Sequence, residues 1–95
     1  MLFEWDQNKN RLNAIKHGIS FEVATLVFGD PNRLEEYDAL HSITENRFIT
    51  IGYANNLIVV VYTIRTPFCR IISARKASKA EERRYYDHGD RQIFT

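Results

Sequence analysis

Four arginines, Arg47, Arg65, Arg70 and Arg75, and two lysines, Lys76 and Lys79, stand in an interval between Glu45 and Glu81 that contains no carboxylate. A guanidinium is a planar, permanently charged fork whose donors meet two phosphate oxygens at once. A group of them without local anions predicts an external anion, and phosphate is the obvious one. Residues 1–46 carry four Lys/Arg against eight Asp/Glu, a net of −4, and residues 47–95 carry nine against four, a net of +5; the overall charge of +1 hides the division. His17 is the natural acid–base candidate, because an unperturbed imidazole titrates near neutrality. Its place beside Lys16 at a helix end has a competing explanation, a favourable dipole interaction of about 0.3–1 kcal/mol. Glu45-x-Arg47 also has two readings. Strand residues two apart share a face, so the two side chains form an ion pair or, if Glu45 is free, it supplies a base. Lys9 and Lys16, seven apart on one helix face, either track a nucleic-acid backbone or form a solvated surface. Tyr62, Tyr53 and Trp5 offer rings on which an unpaired base could stack, a contact worth about 1–3 kcal/mol; core packing explains Trp5 better.

These residues must be positioned by a small fold. Ninety-five residues make one domain with a single core. A short strand is expected at residues 2–5. Asp6 then caps a helix over residues 7–17, with Leu12 and Ile15 marking its buried side and Gly18 ending it. Ser20 caps a second helix over residues 21–28, on which Phe21, Ala24, Val27 and Phe28 fall at helical spacing. Residues 33–37 read as an acidic edge strand. Residues 47–54, 57–65 and 70–75 are β-branched and aromatic-rich strands. Asn55-Asn56 suits a two-residue hairpin turn. Ser78-x-x-Glu81 is a capping box opening a helix to about Tyr86. The order β-α-α-β-β-β-β-α predicts an α+β domain over residues 1–86, with a mostly antiparallel sheet, followed by an irregular polar tail over 87–95.

That turn pairs Tyr53 with Ile58 and Arg47 with Ile64. Pairing Arg65 with Arg70 puts Tyr62 opposite Ser73. Arg47 and Arg75 then share one face with Tyr62, and Arg65, Arg70 and Lys76 lie on the other. Like charges directly opposed are unfavourable, so Arg65 and Arg70 either point apart at a solvated strand end or share a phosphate. Cys69 is the sole cysteine, which excludes an internal disulfide and fits a reducing cytosol; without an activating neighbour it reads as a small strand residue rather than a nucleophile. The histidines at 17, 41 and 88 lack metal-ligand spacing. No signal peptide or membrane span is readable, so a cytoplasmic protein without cofactor or metal is expected.

Phe3-Glu4-Trp5-Asp6, Lys9-Asn10, Asn13, Lys16-His17-Gly18-x-Ser20-Phe21-Glu22, Phe28-x-Asp30-Pro31, Glu45-x-Arg47, Ile51-Gly52 and Ile72-Ser73-Ala74-Arg75-Lys76-Ala77 occur in an order that resembles the BrnT toxin family of bacterial type II toxin–antitoxin systems. The likeness runs from about residue 2 to about residue 86. It implies a fold similar to RelE-type ribonuclease toxins and RNA cleavage that halts growth. It also implies neutralisation by a BrnA-like ribbon-helix-helix antitoxin in a heterotetramer that binds operator DNA through the antitoxin. Metal-independent cleavage needs a base for the ribose 2′-OH, an acid for the 5′-oxygen and cations for the extra negative charge. Arg75, in the family's Ser-Ala-Arg segment at a strand end, is the leading cation, with Arg47 second; His17 and Glu45 are the acid–base candidates. Lys9, Lys16, Tyr62, Arg65, Arg70 and Lys76 complete the expected RNA-binding set. Two rival readings stand beside this one: a non-catalytic RNA- or DNA-binding regulator with the same basic sheet, and a structural domain whose basic face docks an acidic protein. The isoelectric point of about 7.9 mildly opposes generic duplex binding.

Overall fold

The computed structural model describes residues 1–94, with side chains through His88. The elements are β1 (Leu2–Glu4), α1 (Gln7–His17), α2 (Phe21–Ala24), a 3-10 helix (Thr25–Gly29), β2 (Leu34–Tyr37), β3 (Arg47–Ala54), β4 (Asn56–Arg65), β5 (Phe68–Lys76) and α3 (Lys79–Phe94). The expected α+β order is present. One five-stranded sheet runs β1-β5-β4-β3-β2, antiparallel throughout except that β1 lies parallel to β5. The acidic strand β2 is at an edge, as its composition predicts.

The helix ends follow from their capping residues. Asp6 accepts from the Lys9 N–H, and Ser20 from the Val23 N–H. Gly18 ends α1 at φ 71°, where a side chain would be strained, and its N–H bonds the Ala14 carbonyl. Ser78 and Glu81 exchange the reciprocal bonds of a capping box. The second helix is shorter than its apolar spacing predicts, tightening to 3-10 geometry at Thr25. In contrast, α3 continues through Phe94, so residues 87–94 are helical rather than irregular; Thr95 lies outside the described residues.

The two sides of the sheet are unlike. On the helix side, α1, α2 and the 3-10 helix close a core of Ile19, Phe21, Ala24, Val27, Ala54, Ile58, Val60, Ile71 and Ala74, with Phe3, Trp5 and Phe28 packed against it. Phe21 is wholly buried, and burying a side chain of that size contributes roughly 1.5–3 kcal/mol. Trp5 meets it edge to face at 6.1 Å, which bears out core packing for that residue. On the other side only Ile51, Leu57, Val59 and Tyr85 form a buried cluster, under α3. The rest of that side has no buried apolar cluster and is the open side, although Thr63 within it is buried, its hydroxyl donating to the Asn46 carbonyl at 2.6 Å.

Both sheet edges are completed by a side chain where the outer strand stops. Beyond β1, Asn13 donates to the Ala74 carbonyl at 2.9 Å and accepts from its N–H at 3.2 Å, and also donates to the Ile19 carbonyl. Beyond β2, Asp30 accepts from the Tyr53 N–H at 3.0 Å and from the Tyr85 hydroxyl at 2.7 Å. Burial disfavours the charged Asp30, yet these hydrogen bonds and that of Asn32 N–H outweigh it and hold the carboxyl below its usual range. Gly52 makes room for this junction: a Cβ there would stand 2.9 Å from Val27 Cγ1 and 3.2 Å from the Asp30 carboxylate.

Helix α1 is turned around relative to its apolar pattern. Asn10 and Asn13 are its buried residues, whereas Leu12 and Ile15 are 65% and 83% exposed. The cause is what the helix packs on. A sheet edge presents N–H and C=O groups, which need amides rather than aliphatic chains. Asn10 works in the same way, accepting from the Phe21 N–H and donating to Glu22.

The strand registers also differ from expectation. Asn55 alone makes the β3–β4 turn, at φ 68°, so Tyr53 faces Leu57 and Arg47 faces Thr63. A one-residue slip moves every side chain of a strand to the other face. Between β4 and β5 the register shifts at Val61/Tyr62, a bulge that leaves Arg65 opposite Phe68 and Arg70 opposite Thr63. The Arg65–Arg70 opposition therefore does not arise. Among the described residues no helix is long and apolar enough to cross a membrane.

Candidate nucleic-acid interface

The observed registers gather on one face what the expected ones divided. Arg47, Thr63, Arg70 and Glu4 form a single row across β3, β4, β5 and β1. Arg65 lies two residues further along β4, and Arg75, opposite Val59, is four residues the other way. Directly opposed residues share a face, as do residues two apart. Arg47, Arg65, Arg70 and Arg75 therefore all belong to the open side. Arg47 and Arg70 flank Thr63, with Cα atoms roughly 10 Å apart from two interstrand spacings, whereas Arg75 lies roughly 13 Å along the strand direction from that row.

Three of the four arginines are paired, which overturns the expectation of guanidiniums without anions. Arg65 bonds Glu45 at 3.2 and 3.3 Å. Arg70 bonds Glu4 at 3.1 Å. Arg75 meets Glu81 through two parallel bonds of 2.7 and 2.9 Å. Two of the three carboxylates, Glu45 and Glu81, bound the anion-free interval; the third, Glu4, reaches Arg70 because β1 lies beside β5. The Arg75 bonds, more than any other influence, hold the Glu81 carboxyl down to about 2, and the same bonds raise the Arg75 guanidinium further. Glu45 lies just before β3 and pairs with Arg65, so the Glu45–Arg47 ion pair does not form and Glu45 is not free. Arg47 makes no side-chain hydrogen bond or ion pair among the described residues.

A cleft of about 240 Å³ between α1 and β5 is lined by Lys9, Leu12, Asn13, Lys16, His17, Ile72 and Ser73. It brings together the three site candidates of α1, Lys9, Lys16 and His17, and Ser73 shares its sheet face with Arg70 and Arg75. Neither lysine has an ion pair among the described residues. Lys76 alternates to the helix side, opposite Ile58, and is exposed at the end of β5, apart from the four arginines.

Tyr62 is misplaced by the sequence reading. It is 5% exposed and on the helix side, stacked on Phe48 at 5.6 Å and edge-on to Phe28 at 5.1 Å. It cannot stack on a base beside the arginines, which lie through the sheet from it. It borders a separate, mainly apolar cleft of about 300 Å³ with Phe28, Arg33, Glu35, Phe48 and Ile64. Burial first, then the negative Glu35, raises its phenol pKa. Cys69 is buried nearby, and burial with Glu35 pushes its thiol up to about 11. It is protonated at neutral pH and inert as a nucleophile, in line with its reading as a small strand residue. Tyr53 bonds the hydroxyl of Tyr86 and packs edge-on to Tyr85, and Arg84 bonds Glu36, so α3 occupies them. His41 bonds Asp38 within its own loop. Among the described residues no group of three or more His, Cys, Asp or Glu could hold a metal ion.

Thr63, between Arg47 and Arg70 on the open face, is the position that sequence reasoning missed as a neighbour of the site. The one-residue Asn55 turn puts it opposite Arg47, and the bulge keeps Ser73 and Arg75 on the same face; no local signal marks either.

The sequence model of a family described as the ribonuclease toxin, BrnT, of type II toxin–antitoxin systems matches residues 5–81. The comparison with individually curated proteins finds no match.

Proposed function

Because this chain belongs to the BrnT family of ribonuclease toxins of type II toxin–antitoxin systems, we propose that it cleaves RNA on the open sheet face by attack of a ribose 2′-OH on the adjacent phosphate, without a metal ion. The observation that carries this reading is the gathering of Arg47, Arg65 and Arg70 from three strands at one end of that face, with Glu45 beside them. The new bond is O2′–P and the broken one P–O5′, which leaves a 2′,3′-cyclic phosphate and a 5′-hydroxyl. Arg47 and Arg70 clamp the reacting phosphate from either side of Thr63 and take the charge that grows on it. Glu45, held toward this face by Arg65, accepts the 2′-OH proton once the incoming phosphate draws the Arg65 guanidinium from it. His17 enters from the α1 cleft as the acid for the 5′-oxygen, and Lys9 and Lys16 guide the backbone there. Arg75 meets a phosphate further along the strand, in competition with Glu81.

The antitoxin partner implied by the family is, in this proposal, a BrnA-like ribbon-helix-helix protein that forms a heterotetramer with the chain and supplies the operator contacts. The test is incubation of purified chain with a defined RNA in EDTA, with the ends of the fragments identified. Cyclic-phosphate and 5′-hydroxyl ends are expected. RNA binding without any cleavage would replace this reading by that of a regulatory binding module.

A further inference from the structure

We propose that the outward side of α1, with Leu12 and Ile15 between Lys9 and Lys16 on one flank and Arg11 on the other, is the docking strip for an acidic, apolar-centred segment of the antitoxin. The inference rests on the reading that such a partner exists. It begins from the inverted helix. Asn13 serves the sheet edge and Asn10 the start of α2, so the two large aliphatic side chains of α1 face water at 65% and 83% exposure. They are three residues apart, hence neighbours on one face. At 100° per residue, Lys16 and Lys9 lie about 40° and 60° to one side of Leu12, and Arg11 lies about 40° beyond Ile15 on the other. The strip is thus apolar along its middle and basic along both borders.

Its charge is compensated only at the N-terminal end, where the Asp6 cap interacts with Lys9. Helix α1 itself contains no Asp or Glu. Among the described residues Lys9, Arg11 and Lys16 form no ion pair; Arg11 bonds only the amide oxygen of Asn8. Charge complementarity selects an anionic occupant, and the aliphatic centre selects a polypeptide over RNA. Branched aliphatic chains give a base nothing to stack on, and α1 carries no aromatic residue. A segment bearing Leu, Ile, Val or Met between Asp and Glu residues meets both demands. Seated on Leu12, which also lines the cleft with Lys9, Lys16 and His17, it covers the cleft and excludes RNA from it. Neutralisation then needs no contact with the sheet arginines.

The test is a calorimetric titration of the full chain with the antitoxin encoded by the adjoining open reading frame, comparing wild type with Leu12→Glu/Ile15→Glu. The double variant is expected to raise Kd by about a hundredfold or more; Ile15→Glu alone, which leaves the cleft-lining Leu12 in place, is expected to weaken binding at least tenfold, to escape neutralisation in cells, and to cleave RNA at the wild-type rate when alone. If circular dichroism shows the double variant unfolded, Leu12→Ser/Ile15→Ser replaces it, with at least tenfold weaker binding expected. Unchanged antitoxin affinity overturns the proposal. So does loss of RNA binding with antitoxin binding intact, which would make the strip an RNA surface, and so does failure of that antitoxin to bind the wild-type chain. Because affinity is read without RNA, a wild-type chain that binds antitoxin through these residues but cleaves nothing would sink the ribonuclease reading alone.

Discussion

The cations of the sheet and those of α1 are built differently. On the sheet, Arg65, Arg70 and Arg75 are each held by a carboxylate; on α1, Lys9, Arg11 and Lys16 form no ion pair among the described residues. A paired guanidinium is fixed in direction but partly neutralised, and an incoming phosphate must compete for it. An unpaired cation is less ordered but open to whatever anion arrives. Arg47 crosses the division, being on the sheet yet unpaired among the described residues. The contrast teaches that excess positive charge in a sequence interval does not measure availability, because folding redistributes the anions.

The contrast can be tested by substitution. Glu45→Gln has the largest expected effect: cleavage falls about 10²–10⁴-fold, the usual scale for a general base, while antitoxin affinity is unchanged. Single-turnover rates with each variant check this, and a rate within a few-fold of wild type removes Glu45 as the base. Asn13→Ala comes next. It leaves the Ala74 N–H and carbonyl without their partner at the sheet edge and costs about 1–3 kcal/mol in urea unfolding. By comparison, Leu12→Ser on the outer side of the same helix stays within about 0.5 kcal/mol of wild type. Equal losses at the two positions would contradict the inverted helix.

Glu81→Gln has a smaller expected effect, and its sign depends on pH. The Glu81 carboxyl is held at about 2, below its ordinary 4.5, chiefly by Arg75. A depressed carboxylate stabilises the fold above its ordinary value, and that stabilisation is lost as pH falls from about 4.5 through about 2. The pair is partly exposed, so about 1 kcal/mol or less is at stake. Thermal melts of the wild type and Glu81→Gln are expected to differ slightly at pH 7 and to converge at pH 2. With Arg75 released, the variant binds RNA somewhat more tightly at neutral pH; weaker binding would show that Arg75 acts only as a structural partner of Glu81.

Much of the architecture was legible because its signals are local. Asp6, Gly18, Ser20 and the Ser78–Glu81 box act within four residues of where they stand, and the alternation in β3, β4 and β5 is strong. The failures that displaced site residues come from strand register and tertiary packing. One residue fewer in the Asn55 turn and one bulge on β5 decide which face each arginine takes, and neither leaves a mark in composition. Leu12 and Ile15 mislead because the rule that periodic apolar residues face inward assumes an apolar neighbour, and α1 packs on a hydrogen-bonding edge. Glu4 and Arg70 are 66 residues apart, so no reading of charge by interval could have joined them. The candidate site was therefore visible as a set of residue types but not as a place: Tyr62 and Lys76 left it, while Thr63 entered.

The most direct measurement is the cleavage rate of a defined RNA by Arg47→Ala beside wild type, with circular dichroism and melting temperature recorded on the same samples. A fall of about 10²–10³-fold is expected, the scale of losing one oriented donor to a transition-state charge, with the fold intact. A folded Arg47→Ala protein that cleaves at the wild-type rate would contradict the clamping role of Arg47.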